Sequence, residues 1–334
     1  MMKRQLKAIL AAAFLVACTG QVNAQELLFA SASDSRAILS AKDAFLTRLS
    51  PFDRAARMKT DRDVSEAQYV EFVASSVMDW EPREKSLVAT AFQKVQAEAH
   101  RLLLPLPSEI YVIKTSGREE GDAAYTRGNA IVLPRSVLAS SEYEIQKLLA
   151  HELFHISSRS NPKLSRQLYE AIGFRYCGEI EFPSQLAPRK ITNPDAPVND
   201  YCIQIKSGSE TAWAVPILFS QTPRYSPARG GEFFDYLQMA LLLVEKPAGS
   251  GTARAMSDPH GPRLVGVGQV SGFFDQVGRN TNYIIHPEEI LADNFALLVT
   301  GERHVQSPEI LARIQSVLAS YKPAEQVAQK AAHP

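Results

Sequence analysis

The sequence predicts an α+β fold, and three observations carry that expectation. Residues 31 to about 104 have a helical texture, with apolar residues at helical spacing. Pro105 and Pro107 break it, and stretches of strand character follow. A capped amphipathic helix from Ser141 to about Ile156 then comes after the strands, without the regular strand–helix alternation of a doubly wound sheet.

The first residues form a targeting segment outside the fold. Lys3, Arg4 and Lys7 make a basic start, and Ile9 to Ala17 is an apolar run too short to span a bilayer. Two processing sites compete. Leu15-Val16-Ala17-Cys18 resembles the bacterial lipoprotein signal, with Cys18 lipidated, and is preferred; Val22-Asn23-Ala24 before Gln25 suits ordinary cleavage. Residues 1–24 are therefore expected to be a leader. The protein is expected to be exported to the periplasm, anchored to the outer or inner membrane if Cys18 is lipidated. The 36 Lys+Arg balance 36 Asp+Glu, and loss of the basic leader leaves the remainder weakly acidic, so nothing calls for nucleic acid. Cys177 and Cys202 remain. In an oxidising compartment they most simply form one disulfide, two buried thiols being the rival arrangement.

The elements follow in order. Ser33 to Leu49 mixes Ala and Leu with charges. Ser65 and Gln68 can form a capping box before Tyr69, Phe72, Val73 and Val77. Asp79 can cap the next helix, with Pro82 in its first turn and Leu87, Phe92, Val95 and Leu102 as its stripe. Residues 31–104 thus make an N-terminal helical layer that covers the core, a propeptide or lid being the other possibility. Glu109 to Ile113 and Tyr125 to Leu133 read as strands, the second ended by Pro134. Ser141 and Glu144 form a capping box ahead of Ile145, Leu148, Leu149 and Phe154. Leu164 to Phe174 reads as a helix, the proline-bearing stretch from Pro183 to Val198 as a loop, and Tyr201–Ile205 and Thr211–Phe219 as paired strands. Phe234 to Val244 fits either strand or helix, and Leu264 to Val270 is a short strand.

His151-Glu152-Leu153-Phe154-His155 lies within the capped helix. Histidines at i and i+4 share one helix face, their nitrogens suit Zn²⁺, and a glutamate beside the first can take a proton from metal-bound water. On a helix this is the pattern of a zinc hydrolase with Glu152 as base. A second stretch, His286-Pro287-Glu288-Glu289-Ile290-Leu291-Ala292-Asp293, starts a helix at Pro287 and puts Glu289 and Asp293 on one face. Glu289 is the proposed third ligand. Asp293 is proposed to hold the far nitrogen of a ligand histidine.

The two stretches together resemble the gluzincin zinc metallopeptidases. The resemblance covers about 105 to 175 and 280 to 300, and implies a zincin-like metallopeptidase core with a small mixed sheet and active-site helix. It makes His151, His155 and Glu289 ligands of one Zn²⁺, Glu152 the catalytic base and Asp293 their support. It implies an endopeptidase acting on a peptide or protein substrate in the bacterial envelope, laid against Asn129–Leu133 as an edge strand. Tyr283 and His286 are the candidates for stabilising the oxyanion, although His286 could instead brace the helix start and Tyr283 face the core. The expected organisation is a catalytic domain over 105–320 with an insertion at 180–280, and a flexible tail at 321–334. Two other classes stand beside the peptidase: a non-catalytic envelope lipoprotein with a structural role, and a chaperone or assembly factor whose activity is latent.

Overall fold

The computed structural model describes residues 25–246 and 251–322. The leader, with both processing sites at Cys18 and Ala24, lies outside the described residues, as does the tail after Lys322.

The N-terminal layer contains strand β1 (Glu26–Phe29), helices α1 (Ala32–Ser40), α2 (Pro51–Arg57) and α3 (Glu66–Ala74), strand β2 (Val77–Met78) and the long helix α4 (Pro82–Arg101). Ser65 and Gln68 form the expected capping box, and Ser50 forms another with Asp53. Helix α4 starts later than Asp79. Pro82 holds Glu81 in an extended conformation, so no helical turn can precede it, and the Asp79 carbonyl accepts from Lys114 Nζ instead.

Strand β3 (Glu109–Thr115) ties this layer to the next. β1 runs parallel to it, β2 pairs antiparallel with its end, and β5 (Ala130–Pro134) lies parallel on its other side. The sheet order is β1-β3-β5-β4, with β4 (Tyr125–Arg127) antiparallel to β5. The single strand expected over Tyr125–Leu133 is therefore a hairpin. Gly128, at φ +59°, opens a two-residue turn and Asn129 completes it, a Gly-Asn signal that the sequence does carry. Over Ala130–Val132 both sides of β5 are paired, so Asn129–Leu133 is not an open edge for an added peptide.

Helix α5 (Glu142–Ser160) begins at the Ser141–Glu144 capping box. Its buried face, with Ile145, Leu149, Leu153 and Phe154, enters a core shared with α4, β3, β5 and α8 (Pro287–Val299). Helix α6 (Pro162–Ala171) stops before Gly173, at φ +90°, and the chain turns directly into β6 (Phe174–Tyr176), where a continuing helix was expected.

The second sheet departs most from expectation. β6, β7 (Tyr201–Ser207), β8 (Glu210–Ser220), β9 (Leu237–Glu245) and β10 (Arg254–Ala255) follow one another in antiparallel order. Beyond the small hairpin of β11 (Ser257–Asp258) and β12 (Gly261–Pro262), β13 (Leu264–Val265) returns to pair with β9. This six-stranded sheet is a curled half-barrel. Ile203, Ile205, Ala214, Leu241 and Leu243 carry one of its faces into the same core as α5 and α8. The expected zincin-like core with a long insertion is thereby corrected: the stretch read as an insertion supplies the larger sheet and a wall of the main core. Its other face holds Cys177 and Cys202, buried as free thiols, so the expected disulfide is not formed. Helices α7 (Phe273–Val277), α8 and α9 (Pro308–Ser320) complete the order, with α8 packed along α5.

Candidate metal centre

Helices α5 and α8 bring the two informative stretches together. The rings of His151 and His155 sit edge-to-face with centroids 4.7 Å apart, as the i, i+4 spacing requires. Glu289 Oε2 lies 3.1 Å from His151 Nε2 and 3.5 Å from His155 Nε2. The side chains of Asp293 and Glu288 take the opposite nitrogens, at 2.9 Å from His151 Nδ1 and 2.9 Å from His155 Nδ1. Both imidazoles therefore present Nε2 to one point and are oriented from behind by a carboxylate, the arrangement that fixes ligand histidines.

Those carboxylates are held in turn. Glu288 accepts from Ser158 Oγ at 2.8 Å and from the Tyr169 hydroxyl at 2.5 Å, while Thr281 Oγ1 donates to Asp293. Asn193 Nδ2 donates to the second oxygen of Glu289 at 2.6 Å. Glu152 is buried beside the histidines, and its Oε2 makes no hydrogen bond; neither does His155 Nε2. Two buried orphaned atoms beside a converging His–His–Glu set are what a bound cation would satisfy. One nitrogen or oxygen from each of His151, His155 and Glu289 falls within 4.8 Å of the others, and the same is true of Glu152, His155 and Asp195. The residues present fit a divalent metal, and the side chains of a chelating cluster are in place.

The charges reinforce one another. Burial disfavours the His151 cation, yet its hydrogen bonds to Asp293 and Glu289 carry its pKa up to about 10. Burial likewise opposes the His155 cation, and the charges of Glu289 and Asp195 raise it nonetheless. Burial and the neighbouring Asp195 charge push Glu152 up to about 8. Glu289 is held well below the usual carboxylate range: burial opposes this, and the two imidazoles more than offset it. A cation bound here would need both imidazoles neutral, so its binding would displace the protons that these carboxylates favour.

A cleft of about 380 Å³ opens beside the cluster, with His151, Glu152, Asp195, Tyr283 and Glu289 on its wall. Tyr283 is 41% exposed, its ring centroid 6.3 Å from that of His151. His286 is turned away from this cleft. It is the N-cap of α8, with Nδ1 accepting from the Glu288 N–H at 3.1 Å, which is the bracing role.

Glu288, Asp195 and Asn193 were not singled out from the sequence. Glu288 carried a signal: on the helical wheel of α8 it shares a face with Leu291, Ala292 and Phe295, where a carboxylate must find a partner. Asp195 and Asn193 sit in a proline-bearing loop without periodicity, and only the tertiary fold brings them to the site.

One protein family, the eCIS core domain, matches the chain over residues 114–163, a span that includes β4, β5 and all of α5. No curated protein and no solved structure matches. The match corrects the functional expectation. The family model that matches across the His151–His155 helix is the eCIS core domain and not a metallopeptidase family, which overturns the gluzincin resemblance and the endopeptidase activity it implied. The paired state of β5 agrees, since the strand assigned to substrate has no free side over Ala130–Val132.

Proposed function

We propose that this chain is a non-catalytic structural protein of the bacterial cell envelope, whose two central helices are pinned by a single Zn²⁺. The observation that supports this most is the convergence of His151 Nε2 and His155 Nε2 on Glu289 Oε2, with a carboxylate behind each ring. Two imidazoles and a carboxylate suit zinc by donor chemistry, and a bound ion would lend its binding energy to the fold. His151, His155 and Glu289 hold it; Asp293, Glu288 and Asn193 orient them. The eCIS core match over 114–163 favours a structural part over an enzyme. Placement in the envelope rests on the basic, apolar leader and the Leu15–Cys18 lipoprotein signal, with the lipid on Cys18 as anchor and envelope proteins as partners.

The test is metal content and stability on the full-length protein purified without added metal. About one zinc per chain is expected, and removal by a strong chelator should lower the thermal midpoint by roughly 10 °C, the scale set by ~4 kcal/mol of ligand stabilisation. Zinc-free protein, or a midpoint unmoved by chelation, contradicts the proposal.

A further inference from the structure

We infer that Asp195 is a fourth protein ligand to the metal, closing the site from the loop opposite the two helices; this rests on the metal reading above. An oxygen of Asp195 lies within 4.8 Å of ligand atoms of His155 and Glu152, and His155 belongs equally to the set with His151 and Glu289. The unpartnered atoms, His155 Nε2 and Glu152 Oε2, are buried at this junction.

Asp195 is built into place. The backbone N–H and hydroxyl of Thr126 donate to its Oδ1 at 2.8 and 2.5 Å, and Arg159 stands 3.8 Å from the same oxygen. All of these bonds fall on Oδ1, which leaves Oδ2 as the ligand atom. The residues just before it are locked from the N-terminal layer. Thr192 donates its N–H to Asp53 Oδ1 at 3.0 Å and its hydroxyl to Asp53 Oδ2 at 2.8 Å, while Arg57 donates to the Thr192 carbonyl at 3.0 Å. Asn193 then reaches Glu289 at 2.6 Å. One short segment therefore orients an established member of the cluster and delivers a carboxylate to it.

Charge and coordination agree. Two neutral imidazoles with the carboxylates of Glu289 and Asp195 would neutralise a dication, and a fourth protein ligand would fill the position that a catalytic zinc site keeps for water. Glu152 would then lie beside a metal that holds no water for it to act on.

The test uses the full chain loaded with Co²⁺, whose visible absorption reports coordination, and azide as an exogenous ligand. The wild type should bind one Co²⁺ with a four-coordinate spectrum that azide leaves unchanged. Asp195→Asn retains an acceptor for Thr126; it should bind Co²⁺ on the order of 100-fold more weakly and its spectrum should shift with azide. An azide-induced shift in the wild type overturns the inference without recourse to any variant, and so does equal affinity in Asp195→Asn. Failure of the wild type to take up Co²⁺ at all would instead remove the metal reading and this inference with it.

Discussion

Glu288 and His155 are joined by a 2.9 Å contact from Oε1 to Nδ1, on the opposite side of the ring from Glu289. Adjacent residues at the start of α8 thus face both nitrogens of one histidine, Glu288 by a hydrogen bond and Glu289 only by proximity. Glu288 also receives Ser158 and Tyr169, so its removal strands three buried polar groups at once. Glu288→Ala should cost about 3 kcal/mol of stability and weaken metal binding roughly 10- to 100-fold. Chemical denaturation and competition against a metal indicator measure the two effects separately.

Asp293 gives a cleaner probe of orientation, since it touches the site only through the far nitrogen of His151 and the Thr281 hydroxyl. Asp293→Ala should weaken metal affinity by about 10- to 100-fold, with a smaller stability cost than Glu288→Ala because Asp293 is partly exposed. Asp293→Asn should lie between the wild type and Ala. Isothermal titration with Zn²⁺ ranks the three.

What the sequence made legible was local. The Ser65 and Ser141 capping boxes, the α5 helix and the shared face of Glu289 and Asp293 on α8 all follow from spacing within one or two turns, whereas the meeting of α8 with the histidine pair is a long-range contact that only the motif resemblance suggested. What it concealed was assembly. Nothing in Glu26–Phe29 marks it as the parallel neighbour of Glu109–Val112, and nothing in the proline-bearing loop marks Asp195 as a neighbour of His155. The HExxH and ExxxD stretches point to a whole family, although such motifs specify only a few side chains. The half-barrel packed on the same core was invisible to that argument, because buried antiparallel strands read locally as short apolar runs.

The anchor of the Thr192–Asp195 segment should be expensive to disturb. Arg57 is buried between Asp53 at 2.6 Å and Glu120 at 2.8 Å and also holds the Thr192 carbonyl. Arg57→Ala leaves two carboxylates buried without their cation, which should cost about 3–5 kcal/mol. Thermal and denaturant midpoints check this, and equilibrium stability within 1 kcal/mol of wild type would mean that the network is not buried in solution.

Stability without metal should depend on pH in a definite direction. The folded pKa of His151 is raised from 6.5 to about 10, so its contribution is complete below about 6.5 and is lost as pH rises through about 10. Glu289 is depressed below 4.5, so its contribution is present above that value and is lost as pH falls through its lowered folded pKa. Chelator-treated protein should therefore lose thermal stability between pH 7 and about 10. Metal-loaded protein should not follow it, because ligation requires the imidazoles neutral. Parallel melting curves across that range decide the matter, and a metal-free curve that stays level would show that the two histidines are uncharged.

The most direct measurement is anomalous diffraction at the zinc edge from crystals of the purified full-length protein. The account predicts a single peak between α5 and α8, roughly 2 Å from His151 Nε2, His155 Nε2 and a Glu289 oxygen. No peak there, or a peak at the free thiols of Cys177 and Cys202, would contradict it.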